Sequence, residues 1–236
     1  MLSRFKLITV VCLAAAIETG TQTSTWRQCL TDATPAAIDA CTAIILLDPR
    51  NDGSFVNRGI AYRRVGAIEL ALEDYEEAIH LNPDAADAFN NRGNALRAKE
   101  EFDLAIRDYN EAIRLDPHYA HAFNNRGIVF LDMGNPGRAI LDFDRAIAED
   151  RSYANAFRNR GIARTHLALF DSALEDFAAA FALNPAIGHG DEYALALYGR
   201  GLARQRDNDP AGSEDIDRAM RLLPHVADVM AGTEDP

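Results

Sequence analysis

Three cysteines in 236 residues are too few for a fold held by disulfides. Positive charge is also short: 24 Lys and Arg face 36 Asp and Glu, the formal charge is −12, and no basic stripe interrupts the acidic field. Such a surface repels phosphate backbones and argues against nucleic acid as a partner. Apart from Leu7 to Ile17 there is no long apolar run, and eleven residues are short of the about 20 that cross a bilayer as a helix. There is no glycine-rich phosphate loop, no nucleophile elbow and no paired zinc motif, so the usual marks of nucleotide, hydrolytic and metal chemistry are missing. What remains is a chain 48% hydrophobic and 25% charged, enough to bury a sizeable core.

The first residues read as an address. Arg4 and Lys6 precede the apolar run, and Ala14, Ala15 and Ala16 supply the small residues around a signal-peptidase cut. Residues 1–16 are therefore expected to be a signal peptide cleaved after Ala16 or nearby, with an uncleaved anchor as the alternative, and the mature chain to be periplasmic or secreted. Cys12 leaves with that peptide, since Thr9, Val10 and Val11 do not form a lipobox. Removal of Arg4 and Lys6 takes the formal charge from −12 to −14. The remaining pair, Cys29 and Cys41, suits a disulfide in an oxidising compartment; two buried free thiols are the alternative, and a zinc site lacks ligands.

The rest obeys a period. Gly59, Gly93, Gly127 and Gly161 each follow an Arg and stand 34 residues apart. Pro49, Pro83, Pro117 and Pro185 keep the same spacing, with Arg151 where a fifth proline would fall. Numbering units 1 to 34 from Asp52, Ala86, Ala120 and Ala154, with a fifth near Ala194, position 4 is Phe55, Phe89, Phe123, Phe157 and Leu197. Position 20 is Ala71, Ala105, Ala139 and Ala173, position 24 is Tyr75, Tyr109, Phe143 and Phe177, and position 27 is Ala78, Ala112, Ala146 and Ala180. Positions 20, 24 and 27 form one apolar stripe at helical spacing. Gly at position 8 opposite Ala at position 20 lets two helices cross closely, and Pro at position 32 stops the second helix. At Arg151, the turn formers Asp150 and Ser152 are expected to make the same break.

These residues resemble the tetratricopeptide repeat (TPR) family, a helix–turn–helix module of 34 residues, over residues 52–226. The resemblance implies an all-α, right-handed α-solenoid, with four units over 52–187 and an insertion plus a fifth unit over 188–226. Residues 17–51 read as an N-terminal capping half-repeat whose first helix, around Trp26 to Leu30, is short, and residues 227–236 as a flexible tail. A Cys29–Cys41 disulfide would staple that cap, contributing about 3 kcal/mol. Six residues are inserted around Gly188–Glu192, either lengthening a first helix or forming a loop, and the fifth unit loses one residue before Pro224.

In the family, positions 2, 5, 6, 9, 12 and 13 of the first helices line the concave face. Position 6 here is Asn57, Asn91, Asn125 and Asn159, a row similar to the asparagine ladder in the repeat arm of O-linked N-acetylglucosamine transferases. A carboxamide donates and accepts, so it can hold the backbone of an extended peptide whatever its side chains; the alternative is a repeated helix-stacking residue. Asn90, Asn124 and Arg158 at position 5, Asn94 at position 9, and Arg63 and Arg97 at position 12 add variety that could choose a partner. The family's carboxylate clamp is not reproduced, because position 2 is Gly53, Asp87 and His121. His118, His121, His166 and His189 are scattered, and His189 with Asp191 and Glu192 reads as a loop rather than a metal site. The expected function is an exported peptide- or protein-binding adaptor, not an enzyme, without cofactor or metal; a structural envelope subunit and an enzyme with a site at 188–192 are the alternatives.

One row departs from the family, which usually has Leu at position 7. Here it is Arg58, Arg92, Arg126, Arg160 and Arg200, while position 23 is Asp74, Asp108, Asp142, Asp176 and, one residue early, Asp215. In an antiparallel hairpin the two positions lie within about a turn of each other, predicting a partly buried Arg–Asp fork in every unit.

Overall fold

The structure, a computed structural model, describes residues 28–29, 35–188 and 190–232. The signal segment, Trp26, Leu30, His189 and the last four residues lie outside these. The described chain is all-helical and forms two compact units, residues 1–117 and 118–236.

The first unit holds α1 (Pro35–Leu47), α2 (Asp52–Arg64), α3 (Ile68–Leu81), α4 (Ala86–Ala98) and α5 (Phe102–Leu115). The second holds α6 (Ala120–Asp132), α7 (Pro136–Glu149), α8 (Ala154–His166), α9 (Phe170–Leu183), a 3-10 turn (Pro185–Ile187), α10 (Gly190–Arg206), α11 (Ala211–Leu222) and α12 (Val226–Ala231). Pairs α2–α3, α4–α5, α6–α7, α8–α9 and α10–α11 pack as helical hairpins. Within each unit the second helix of one hairpin also packs on the first helix of the next.

The stripe at positions 20, 24 and 27 is the core. Ala71, Tyr75, Ala78, Ala105, Tyr109 and Ala112 are fully buried, as are Ala139, Phe143 and Ala146. The glycine at position 8 faces the ring at position 24 more than the alanine at position 20. A Cβ added to Gly59 would lie 2.6 Å from the Tyr75 ring, and one on Gly127 would lie 2.6 Å from that of Phe143. The fifth hairpin has Ile216 instead of a ring, and there a Cβ on Gly201 would also meet the carbonyl oxygen of Gly212 at 2.8 Å.

Helix ends follow a second recurrence that the proline spacing hides. Position 31 is Asp48, Asn82, Asp116, Asp150 and Asn184. Four of these side chains accept a hydrogen bond from the backbone N–H two residues on: Arg50 to Asp48, Asp84 to Asn82, Ser152 to Asp150 and Ala186 to Asn184. That Asx turn ends α7 at Glu149 without a proline.

The insertion lengthens a first helix. After the 3-10 turn, α10 runs for 17 residues where the other first helices have 13. The residue lost from the fifth unit is a net change at its turn: α11 is two residues shorter than α3, 12 against 14, while the turn before it, 207–210, is one residue longer than 65–67. The tail expected from residue 227 is helical to Ala231, because Val226 is fully buried and anchors it in the core of the second unit. At the other end Cys29 and Cys41 are joined in a disulfide, Cα atoms 4.9 Å apart, and pack with Ala40 and Ile44.

Candidate functional site

The Arg–Asp fork is present in all five hairpins. In each, Nε and Nη2 of the arginine donate to the two carboxylate oxygens: Arg58 to Asp74 at 2.8 and 2.7 Å, and Arg92 to Asp108 at 2.7 and 2.8 Å. Arg126–Asp142, Arg160–Asp176 and Arg200–Asp215 repeat the geometry within 2.6–2.9 Å. The aspartates are at most 7% exposed. The hydrogen bond to its aspartate raises the pKa of Arg58, Arg92 and Arg200 above the ordinary guanidinium value, against the desolvation that lowers it.

Four of the five forks are stacked, the fifth having Leu197 in place of the ring. The guanidinium carbon lies 5.5–5.7 Å from the centroid of the phenylalanine three residues earlier, Phe55, Phe89, Phe123 or Phe157. Phe-x-x-Arg recurs at the 34-residue period, so this pairing was open to sequence reasoning that stopped at the aspartate. Three arginines also reach back to the preceding second helix, Arg58 Nη1 to Thr42 Oγ1 at 3.1 Å, Arg160 Nη1 to Asp144 Oδ1 at 2.6 Å and Arg200 Nη1 to Asp171 Oδ1 at 3.4 Å. The fork therefore holds the hairpin and offers little to a partner.

The remaining first-helix rows divide by burial. Position 6 is half-buried in all four cases, Asn57, Asn91, Asn125 and Asn159. Asn90 and Asn124, weighed above as groove positions, are interior residues, 5% and 3% exposed. Asn159 Nδ2 donates to Asn124 Oδ1 at 2.9 Å, joining α8 to α6, so this pair stacks helices. Asn91 Nδ2 donates to the carbonyl of Asp87 in its own helix at 2.9 Å.

Asn94 supports the core, its Oδ1 accepting from the Tyr109 hydroxyl at 2.9 Å. Ile60 occupies the equivalent place in the hairpin before, and there the Tyr75 hydroxyl and Arg63 Nε are buried without a hydrogen-bond partner. Burial pushes the Tyr75 phenol up to about 12; Arg63 lies near enough to oppose the shift but makes no well-aligned bond. Arg63 and Arg97 are half-buried. Arg158 lies 3.6 Å from Glu192 of the insertion.

Among the described residues the histidines do not converge. His118 Nδ1 is 2.8 Å from Glu149, which it holds below the usual carboxylate range, and His121 Nδ1 is 2.9 Å from the Tyr153 hydroxyl. Among the described residues no group of His, Cys, Asp and Glu could hold a metal ion, and no helix is long and apolar enough to cross a membrane.

A "TPR repeat" family model matches residues 59–96 and 93–134, and a "Tetratricopeptide repeat" model matches 124–186. No curated protein matches the chain. Among solved structures, YrrB, described as a TPR protein with an unusual peptide-binding site, is 24% identical with a TM-score of 0.64, covering 84% of this chain and all of that one. PilF of Pseudomonas aeruginosa is 16% identical with a TM-score of 0.66, covering 94% of this chain and 95% of its own. MamA is 26% identical with a TM-score of 0.55, covering 64% and 88%. With its family-model matches running from residue 59 to 186 and its helices packed as repeat hairpins, the chain belongs to the tetratricopeptide repeat family.

Proposed function

We propose that this protein is an exported adaptor that binds an extended segment of a partner protein along its first-helix rows. Tetratricopeptide proteins are generally protein-interaction scaffolds that bind proteins or peptides, and are typically not catalytic. The peptide reading rests on one observation: position 6 carries a half-buried carboxamide in four successive units, beside a fork row that is already spent. YrrB, of the same fold, has a peptide-binding site of its own. Export rests on Arg4, Lys6 and the run from Leu7 to Ile17, with a buried disulfide suited to an oxidising periplasm or exterior.

The test begins with crosslinking from the native envelope fraction to recover the partner. Asn57→Ala with Asn91→Ala should weaken binding by about 1 to 3 kcal/mol and leave Tm nearly unchanged, since alanine is the better helix former. Asn124→Ala with Asn159→Ala removes the helix-stacking bond and should lower Tm instead. Unchanged affinity in the first variant would move the binding surface to the second helices. There Leu70 and Leu104, both at position 19 and both 44% exposed, favour a scaffold that docks through its outer face.

A further inference from the structure

The only long interruption of the 34-residue period is the six-residue insertion, and it touches the first-helix rows. The early start of α10 places Asp191 and Glu192 in its first turn. From there Glu192 Oε2 lies 3.6 Å from Nη2 of Arg158 on α8, too far for a hydrogen bond, and the side chains remain 35% and 34% exposed. The five forks differ on both counts: each makes two hydrogen bonds of 2.6–2.9 Å to an aspartate that is nearly buried. An ion pair as loose as Arg158–Glu192 contributes little and exchanges readily.

Arg158 is also alone in its row. Position 5 is Val56, Asn90, Asn124 and Tyr198 in the other hairpins, so only α8 presents a charge there. Each member of the pair has an apolar neighbour one helical turn on: Ile162 follows Arg158 by four residues on α8 and Leu195 follows Glu192 by three on α10, both partly buried, with the carboxamides of Asn155 and Asn159 beside them. A single cation beside two apolar side chains fits a carboxylate that has apolar side chains next to it. The protein's negative field is screened within about 8 Å at physiological salt, so the nearest charge decides.

We propose that Glu192 is a built-in competitor. It occupies Arg158 in the free protein, and an Asp or Glu between apolar residues of a bound segment takes its place, so the insertion sets both the specificity and the threshold of binding. This rests on the groove reading above and names the chemistry of its partner in the second unit.

The full, disulfide-intact chain with 15N-labelled arginine tests it. The Arg158 Nε–H resonance is followed while the acetylated, amidated tripeptide Leu-Glu-Leu is added, with Leu-Gln-Leu as control. Leu-Glu-Leu should move the resonance saturably, and two- to fivefold more tightly in Glu192→Gln than in the native chain. Leu-Gln-Leu should leave it in place, and Arg158→Gln should bind both peptides alike at the neighbouring apolar residues. Equal affinity in native and Glu192→Gln chains, equal responses to both peptides, or no response at Arg158 overturns the proposal. Melting curves confirm that both variants fold. If Asn57→Ala with Asn91→Ala still weakens partner binding while these arms fail, the competitor alone is lost; if neither set has any effect, the groove reading falls with it.

Discussion

The hairpins α2–α3 and α4–α5 are near copies that solve the same problem differently. Both have the fork, the phenylalanine beneath it, the glycine under a tyrosine ring and the buried alanine pair. Three of their differences bear on stability. Asn51 caps α2 by accepting from the Ser54 N–H, whereas Ala85 gives α4 no side-chain cap. Tyr109 donates to Asn94, whereas Tyr75 has no partner. The turn residue with positive φ is Gly66 in one and Glu100 in the other. What is common lies between the two helices of a hairpin, where any change meets packed atoms. What varies lies at ends and edges, where water or a neighbour can compensate.

Breaking what the two hairpins have in common should have the largest effect. Asp74→Ala and Asp108→Ala each leave an arginine without its fork inside a packed hairpin, and each should cost about 2 to 4 kcal/mol in urea unfolding. The two losses should agree closely, and a large difference would mean that the rows are not equivalent.

The tyrosines should then part company. Tyr109→Phe breaks a hydrogen bond and orphans Asn94, costing about 0.5 to 1.5 kcal/mol, while Tyr75→Phe removes a hydroxyl that has no bond to lose and should be neutral or stabilising. Phe143 and Phe177 already fill the same position in the second unit. Equal destabilisation by both changes would show that Tyr75 has a partner after all. The smallest effect belongs to the turn: Glu100→Gly relieves a side chain held at φ 61 and should raise stability by about 0.5 to 1 kcal/mol. A fall in Tm would show that Glu100 earns its place by another contact.

The fork was legible because both partners sit in one hairpin, where a fixed 16-residue separation becomes a fixed distance. The break at Arg151 and the core stripe follow from the same local geometry, whereas the glycine, read as facing the alanine at position 20, lies closer to the ring at position 24. Burial of Asn90 and Asn124 was not legible, because it depends on how far one hairpin is rotated against the next, and the period says nothing of that angle. The Asn159–Asn124 bond, 35 residues apart, belongs with it. The insertion was ambiguous for a different reason: Gly188 and Gly190 permit a loop, and the choice of helix is made by the packing of Tyr193, Ala194 and Leu197 against the second unit's core.

The backward reach of Arg58, Arg160 and Arg200 gives the array a direction. Each joins its own hairpin to the helix before it, Arg58 to Thr42 of α1, Arg160 to Asp144 of α7 and Arg200 to Asp171 of α9, and none reaches forward. Peeling away the later hairpin carries the arginine off with its aspartate and leaves behind only a short side chain that water can solvate. Peeling away the earlier helix strips an arginine that must stay in place, still forked, with one nitrogen exposed to nothing but solvent. Fraying is thus vectorial, easier from the carboxyl side of each junction than from the amino side, and the disulfide-closed α1 sits at the end from which unravelling would do the most damage.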